Sequence, residues 1–214
     1  ENFLGSCYGS AGQRCLAGSV VAVVPEVYDK VVDAMITASK KITYGDALDP
    51  SIYMGPVISA DAKAKIHRYI EIGIEKGAKL ALDGRNPALP EKNKNGYFVA
   101  PTIFTEVTPC MTIAREEIFG PVAFLAKFDS EDQALAMVNS TDYGLANSVW
   151  SSDLGRCARI AEQMRAGNSW INAHNVFPHG VPYGGIGKSG LGGGVNSVET
   201  LFDYWRSVSV VRPL

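Results

Sequence analysis

The sequence predicts an α/β fold, a mostly parallel, open, twisted sheet flanked by helices. Three observations carry this. Short β-branched or apolar runs alternate with amphipathic stretches along most of the chain. The connections between them are brief, as successive strand-helix units require. The 214 residues, 46% hydrophobic and 20% charged, suit a core that buries about 70% of the unfolded surface without disulfide staples.

Residues 2–16 are small and apolar and read as a tightly packed helix or a turn against one. Ser19 to Val24 is a β-branched run of strand length. Pro25 stops it and opens a helix to about Lys41, with Val27, Val31, Met35 and Ile36 on one face. After a loop, Ser59 reads as the N-cap of a second amphipathic helix that Gly77 ends. Ala78 to Leu82 is a short strand, and residues 85–96 a polar, hairpin-like excursion. Phe98 to Phe104 is extended, with Pro101 pointing to an edge or a bulge. Val122 to Phe128 is a strand, Ser130 caps a helix, and Ala146 to Trp150 is a strand. Ser152 is expected to cap a helix through Ala166, with Gly167 ending it before a strand at Ser169 to Asn172. Eight glycines between Gly180 and Gly194 predict an irregular loop, and Tyr204 to Val211 reads as a last strand, free to pair on another subunit.

Twenty Lys and Arg against 22 Asp and Glu give a net charge of −2 with no basic block, which argues against a nucleic-acid binder. Apolar stretches are broken by Gly, Asn, His and Pro, so no membrane span is expected. Four cysteines without a CxxC or a metal-ligand spacing fit a reducing cytoplasm and no metal. Glu1 leads straight into apolar residues, which reads as the middle of a longer protein.

The chemistry centres on Cys15, in Gly12-Gln13-Arg14-Cys15-Leu16-Ala17-Gly18. Gly12 allows a sharp turn, Arg14 beside the sulfur favours thiolate, and small neighbours leave backbone N–H groups free for an oxyanion. That is the outline of a covalent nucleophile, although most free cysteines are small buried hydrophobes. Two further blocks stand out. One is Glu116-Glu117-Ile118-Phe119-Gly120-Pro121; the other runs from Asn172 to Phe177, then Pro182-Tyr183-Gly184-Gly185 and Lys188-Ser189-Gly190.

The three blocks, in this order and at about this spacing, resemble the NAD(P)-dependent aldehyde dehydrogenase superfamily across essentially the whole chain. The resemblance implies that Cys15 attacks an aldehyde to give a thiohemiacetal, then, after hydride transfer, a thioester. The cofactor it implies is NAD or NADP, with NAD favoured, and the acyl acceptor is water or coenzyme A. Glu117 is implied as the cofactor-ribose ligand and Phe119 as the aromatic beside ribose and nicotinamide. Phe177 is implied as a wall of the aldehyde tunnel and Asn172 as a polar anchor of the loop beneath it. His174 and His179 read as loop residues without a catalytic role. Lys65 falls where some relatives carry a cofactor-proximal lysine, but reads more simply as a solvated helix residue.

The nucleophile motif looks most like the methylmalonate-semialdehyde branch, in which Arg14 would hold a substrate carboxylate. The tail resembles other branches, Tyr183-Gly184-Gly185 replacing the familiar Phe-Gly-Gly and Gly193-Gly194 an Arg-Glu pair, so the aldehyde stays open with a lean to a semialdehyde. The implied organisation is a catalytic domain over residues 1–195 and an oligomerisation segment over 196–214. The cofactor domain, the deacylating glutamate and the oxyanion asparagine would precede residue 1. The 214 residues alone are therefore expected to be inactive, and the complete protein to be a homodimer or homotetramer acting on a small aldehyde. The rival reading is a non-catalytic α/β assembly or scaffolding module with Cys15 inert.

Overall fold

A computed structural model describes residues 2–213, which divide into two compact units, one ending at Ser140 and the other beginning at Thr141. The first unit is built on a four-stranded mixed sheet. Its strands are β1 (Val20–Val23), β2 (Lys79–Leu82), β3 (Thr102–Thr105) and β4 (Val122–Lys127), in the order β1-β4-β3-β2. β4 runs parallel to β1 (Val20 opposite Phe124) and to β3 (Thr102 opposite Val122), while β2 closes the edge antiparallel to β3. Residues Val122 to Ala126 are all buried, so both faces of β4 are covered. This explains the unbroken apolar run where a half-exposed strand would alternate.

The helices follow their sequence signals. α1 (Asn2–Tyr8) leads into a 3-10 turn, Gly9–Gly12. α2 (Pro25–Ser39) starts at its proline and packs on β1 and β4. α3 (Ala60–Glu75) is capped by the Ser59 side chain, which accepts from the Ala62 N–H at 3.1 Å. Such a cap is worth about 1 kcal/mol. α3 packs on β2, and its Ile66 and Ile70 are fully buried in a core that includes Tyr8, Ile103, Phe104 and Leu125. Side chains of this size each stabilise the fold by about 1.5–3 kcal/mol. A short α4 (Thr112–Arg115), absent from the sequence expectation, precedes β4, and α5 (Glu131–Val138) follows it, capped by Ser130.

The second unit holds two small sheets. β5 (Ala146–Val149) and β6 (Asn168–Ile171) are parallel neighbours, with α6 (Leu154–Gln163) crossing between and packing on both. β7 (Tyr183–Gly185) and β8 (Gly192–Val195) form an antiparallel pair with a register shift, followed by α7 (Thr200–Asp203).

Several expectations are corrected. Pro101 lies just before β3, which is paired on both sides and is no edge; the missing N–H falls outside the ladder. Residues 85–96 form bends and a 3-10 turn at Glu91–Asn93, without hairpin pairing. The cap of α6 is Asp153, which accepts from the Arg156 N–H at 2.9 Å, and the helix ends at Gln163. Gly167 has another purpose: a Cβ there would lie 1.8 Å from the Gly184 carbonyl oxygen. The glycine-rich stretch is partly ordered as β7 and β8, because glycines let these backbones approach where side chains would collide. Tyr204 to Val211 forms no strand in the single chain; a strand is a pairing, and these residues are exposed.

Candidate functional site

Cys15 stands in a tight turn between the 3-10 segment and β1. Ser10, Ala11 and Gly12 are three consecutive residues with left-handed backbone, at φ 54°, 55° and 68°. For the first two this costs roughly 1–2 kcal/mol each. The Gln13 N–H then closes on the Ser10 carbonyl at 3.0 Å and the Ala17 N–H on that of Arg14 at 2.9 Å, turning Cys15 outward, where it is exposed. Below the turn, Cys7 is buried, and its thiol donates to the Gly18 carbonyl at 2.7 Å. Burial pushes the Cys7 thiol well above the ordinary thiol range, so it is held protonated and structural. Arg14 is half-buried and lies back over Gly9, its Nη1 3.8 Å from where a Cβ on Gly9 would stand.

The second block is brought to the first by topology. The Cys15 loop enters β1 and the Glu117 loop enters β4, and these strands are adjacent and parallel, so both loops emerge at the same end of the sheet. A Cβ on Gly12 would lie 2.2 Å from the Gly120 carbonyl oxygen and 2.7 Å from the Pro121 nitrogen. The two backbones therefore touch, and the contact requires glycine at position 12.

Glu117 is exposed, with its backbone carbonyl accepting from Lys65 Nζ at 3.2 Å. Phe119 is 39% exposed with φ at 57°, a left-handed conformation unusual for an aromatic residue. Glu116 accepts from the Tyr69 hydroxyl at 2.5 Å. Lys65 is exposed, as a residue on a solvated helix face should be, and its ammonium reaches the loop, 5.7 Å from the Tyr69 ring centre. Sequence reasoning missed Tyr69 and Gln13, whose Oε1 accepts from the Ile58 N–H at 2.8 Å. The signal for Tyr69 was its i+4 spacing from Lys65 on one helix face.

Asn172 and Phe177 belong to the second unit. Asn172, at φ 49°, accepts from the Ser151 N–H and donates to the Ser151 carbonyl, both at 2.9 Å. Its amide is thus engaged with the turn after β5. Phe177 is 37% exposed and edge-on to Trp170 and Tyr183, with ring centres 5.7 and 5.2 Å apart. His174 shares a 3.2 Å hydrogen bond with Ser148 Oγ, and His179 is exposed. A groove of about 590 Å³ in the first unit, lined by Leu4, Ala34, Thr37, Ala38, Ile42 and Tyr53 among others, does not include Cys15.

With this geometry in place, the comparison with known proteins is direct. The aldehyde dehydrogenase family model matches residues 1–210. The chain belongs to the aldehyde dehydrogenase family. Among its relatives are the betaine aldehyde dehydrogenases of Mesorhizobium japonicum, 44% identical over 97% of this chain and 42% of the relative, and Bacillus subtilis, 40% identical over 90% and 39%. A solved structure of the Staphylococcus aureus betaine aldehyde dehydrogenase in complex with NAD+, carrying a BME-modified cysteine, superposes with TM-score 0.90 at 36% identity, covering 95% of this chain and 41% of that one. The chain therefore spans about two fifths of the length of these relatives. The lean to the methylmalonate-semialdehyde branch is corrected: it rested on the short motif that ends in Arg14-Cys15, whereas similarity over the whole chain leads to betaine aldehyde dehydrogenases. Seven residues around a nucleophile are too short a signal to assign a substrate.

Proposed function

We propose that the complete protein is an NAD-dependent aldehyde dehydrogenase, in which Cys15 is the nucleophile and Glu117 and Phe119 hold the nicotinamide half of the cofactor. The observation that carries this reading is the backbone contact between Gly12 and Gly120, which brings two blocks far apart in sequence to one place. The residues present fit the cofactor. The Glu117 carboxylate is exposed while its carbonyl is taken by Lys65, so the side chain is free to accept from ribose hydroxyls. The Phe119 ring is partly exposed beside it, an apolar surface for a planar group. NAD+, when bound, supplies a two-electron acceptor.

The protein's own part begins with the Cys15 thiolate. Its sulfur forms a bond to the aldehyde carbon as the C=O π pair moves onto oxygen, and backbone N–H groups of the turn stabilise that charge. When the oxygen pair re-forms C=O, hydride leaves that carbon for the two-electron acceptor that NAD+ would supply, and sulfur holds the acyl group as a thioester until an acceptor displaces it, which regenerates the thiolate. Water is the acyl acceptor in our reading, with coenzyme A as the alternative to be tested, and NADP is the alternative to NAD as hydride acceptor. Arg14, the residue before Cys15, carries a positive charge on the same turn. In the second unit, Asn172 supports its own loop through its two bonds to Ser151, and Phe177 packs edge-on to Trp170 and Tyr183. The relatives' names favour betaine aldehyde as the substrate.

The test is NADH formation by the full-length protein with betaine aldehyde and with an uncharged aldehyde of similar length. Cys15→Ala should abolish turnover with both, and betaine aldehyde should have the higher kcat/KM. Turnover that survives Cys15→Ala removes the nucleophile assignment; a preference for the uncharged aldehyde removes the substrate.

A further inference from the structure

The structure assigns to Tyr69 a positioning role: through its hydrogen bond to Glu116 it fixes the loop that presents Glu117 and Phe119. This rests on the NAD+ reading above and deepens it, because that reading gives Tyr69 no part.

Tyr69 is buried, 8% exposed, and its hydroxyl donates across 47 residues of sequence to a carboxylate oxygen of Glu116 at 2.5 Å. A hydrogen bond to a charged acceptor is about twice as strong as one between neutral groups. The same helix holds the loop at two more points. Lys65 Nζ donates to the Glu117 carbonyl at 3.2 Å. Between them Ile66, fully buried, lies so close to Gly120 that a Cβ there would come within 2.5 Å of Ile66 Cγ1 and Cδ1. Positions 65, 66 and 69 share one face of α3, so a single rigid element grips residues 116, 117 and 120.

Inside that grip sits Phe119 in left-handed backbone. A non-glycine residue keeps such a conformation only where its surroundings over-determine it. The three contacts are that over-determination. They fix the backbone from which the Glu117 carboxylate and the Phe119 ring depart, while the Tyr69 hydroxyl, spent on Glu116, touches no reacting atom. Of the three, only the Tyr69 bond can be removed without changing side-chain volume or net charge, which makes it the point to test.

Four variants of the full-length protein make the experiment: Tyr69→Phe, Glu116→Ala, Glu116→Gln and the double variant Tyr69→Phe/Glu116→Ala. NAD+ affinity is read by calorimetric titration, alongside the KM of each substrate, kcat and the midpoint of thermal unfolding. Tyr69→Phe should weaken NAD+ binding and raise its KM by about tenfold, the change that 1.4 kcal/mol produces. The aldehyde KM should stay within twofold. Glu116→Gln, which still offers an acceptor oxygen, should recover most of what Glu116→Ala loses, and the double variant should be no worse than the worse single one. NAD+ affinity within twofold of the parent in Tyr69→Phe, or a loss that tracks the unfolding midpoint across the set, overturns the positioning role alone. A parent protein that binds no NAD+ overturns the cofactor reading and this role with it.

Discussion

Gly12 and Gly120 meet backbone to backbone, close enough that a side chain on the first would strike the carbonyl oxygen of the second. The contact joins the turn that carries Cys15 to the loop that carries Glu117 and Phe119. It exists because β1 and β4 are parallel neighbours entered from the same end.

Gly12→Ala should therefore cost more than an ordinary glycine replacement. A Cβ there faces both a φ of +68° and a carbonyl oxygen at 2.2 Å. Gly77 is the control, with φ at +90° and no atom within 4 Å. We expect Gly77→Ala to lose about 1 kcal/mol and Gly12→Ala about 3 kcal/mol or more. Thermal unfolding measures both, at about 2–4 °C per kcal/mol for a chain of this size. Equal losses would mean that the two loops are not tightly apposed.

The four cysteines should divide by burial. Cys15 and Cys110 are exposed, whereas Cys7 and Cys157 are buried. Brief iodoacetamide treatment near neutral pH should label Cys15 first and Cys110 after it. Cys7, kept protonated by burial, and Cys157 should react only in denaturant. Mass spectrometry gives the order, and early labelling of Cys7 would contradict the packing described for α1.

Acid sensitivity should trace in part to His67. Its ring is half-buried, and burial, followed by the charges of Lys63 and Arg85, holds its pKa below the ordinary 6.5. Its Nε2 is buried without a hydrogen-bond partner among the described residues. With the folded pKa below the unfolded one, the unfolded chain takes up the proton first. Stability is thus unaffected above about pH 6.5 and falls as pH drops from there towards the folded value. His67→Gln should flatten urea-unfolding free energies over that interval, and an unchanged slope would assign the sensitivity elsewhere.

Tyr204 to Leu214 should matter for assembly. Tyr204, Trp205, Val208, Val210 and Val211 are all exposed in the single chain. Apolar residues of high β-propensity left unpaired invite association. Removing residues 204–214 keeps Asp203, whose carboxylate accepts from the Gly194 N–H at 3.4 Å. Light scattering of the full-length protein so shortened should show smaller particles than the parent; an unchanged mass would show that the segment is no interface.

Much of this was legible in the sequence because local rules govern it. The Ser59 and Ser130 caps, the proline start of α2 and the apolar run of β4 depend only on near neighbours. The errors fell where partners are remote. Ser152 is the cap that the sequence predicts for α6, and its neighbour Asp153 is the cap observed; both residue types can cap, and only the geometry of the helix entry decides between them. Pro101 looked like an edge signal because its flanking strands lie elsewhere in the chain. The order within the glycine-rich stretch depends on backbone meeting backbone, which leaves no side-chain pattern to read. In the site, Cys15, Glu117 and Phe119 stand in recognisable motifs, whereas Tyr69 is one tyrosine on an amphipathic helix. Its role comes from a contact 47 residues away.

The parallel pairing of β1 with β4 also has a consequence in time. During synthesis β1 leaves the ribosome without its neighbour, because residues 122–127 are made roughly 100 residues later. At translation speeds of about 5–20 residues per second, that interval is of the order of 5–20 s. Throughout it the turn around Cys15 lacks the Gly120–Pro121 backbone that it packs against in the folded unit. The nascent protein therefore carries the exposed Cys15 thiol on an unfinished surface, and the reducing power of its surroundings matters most before the chain is complete.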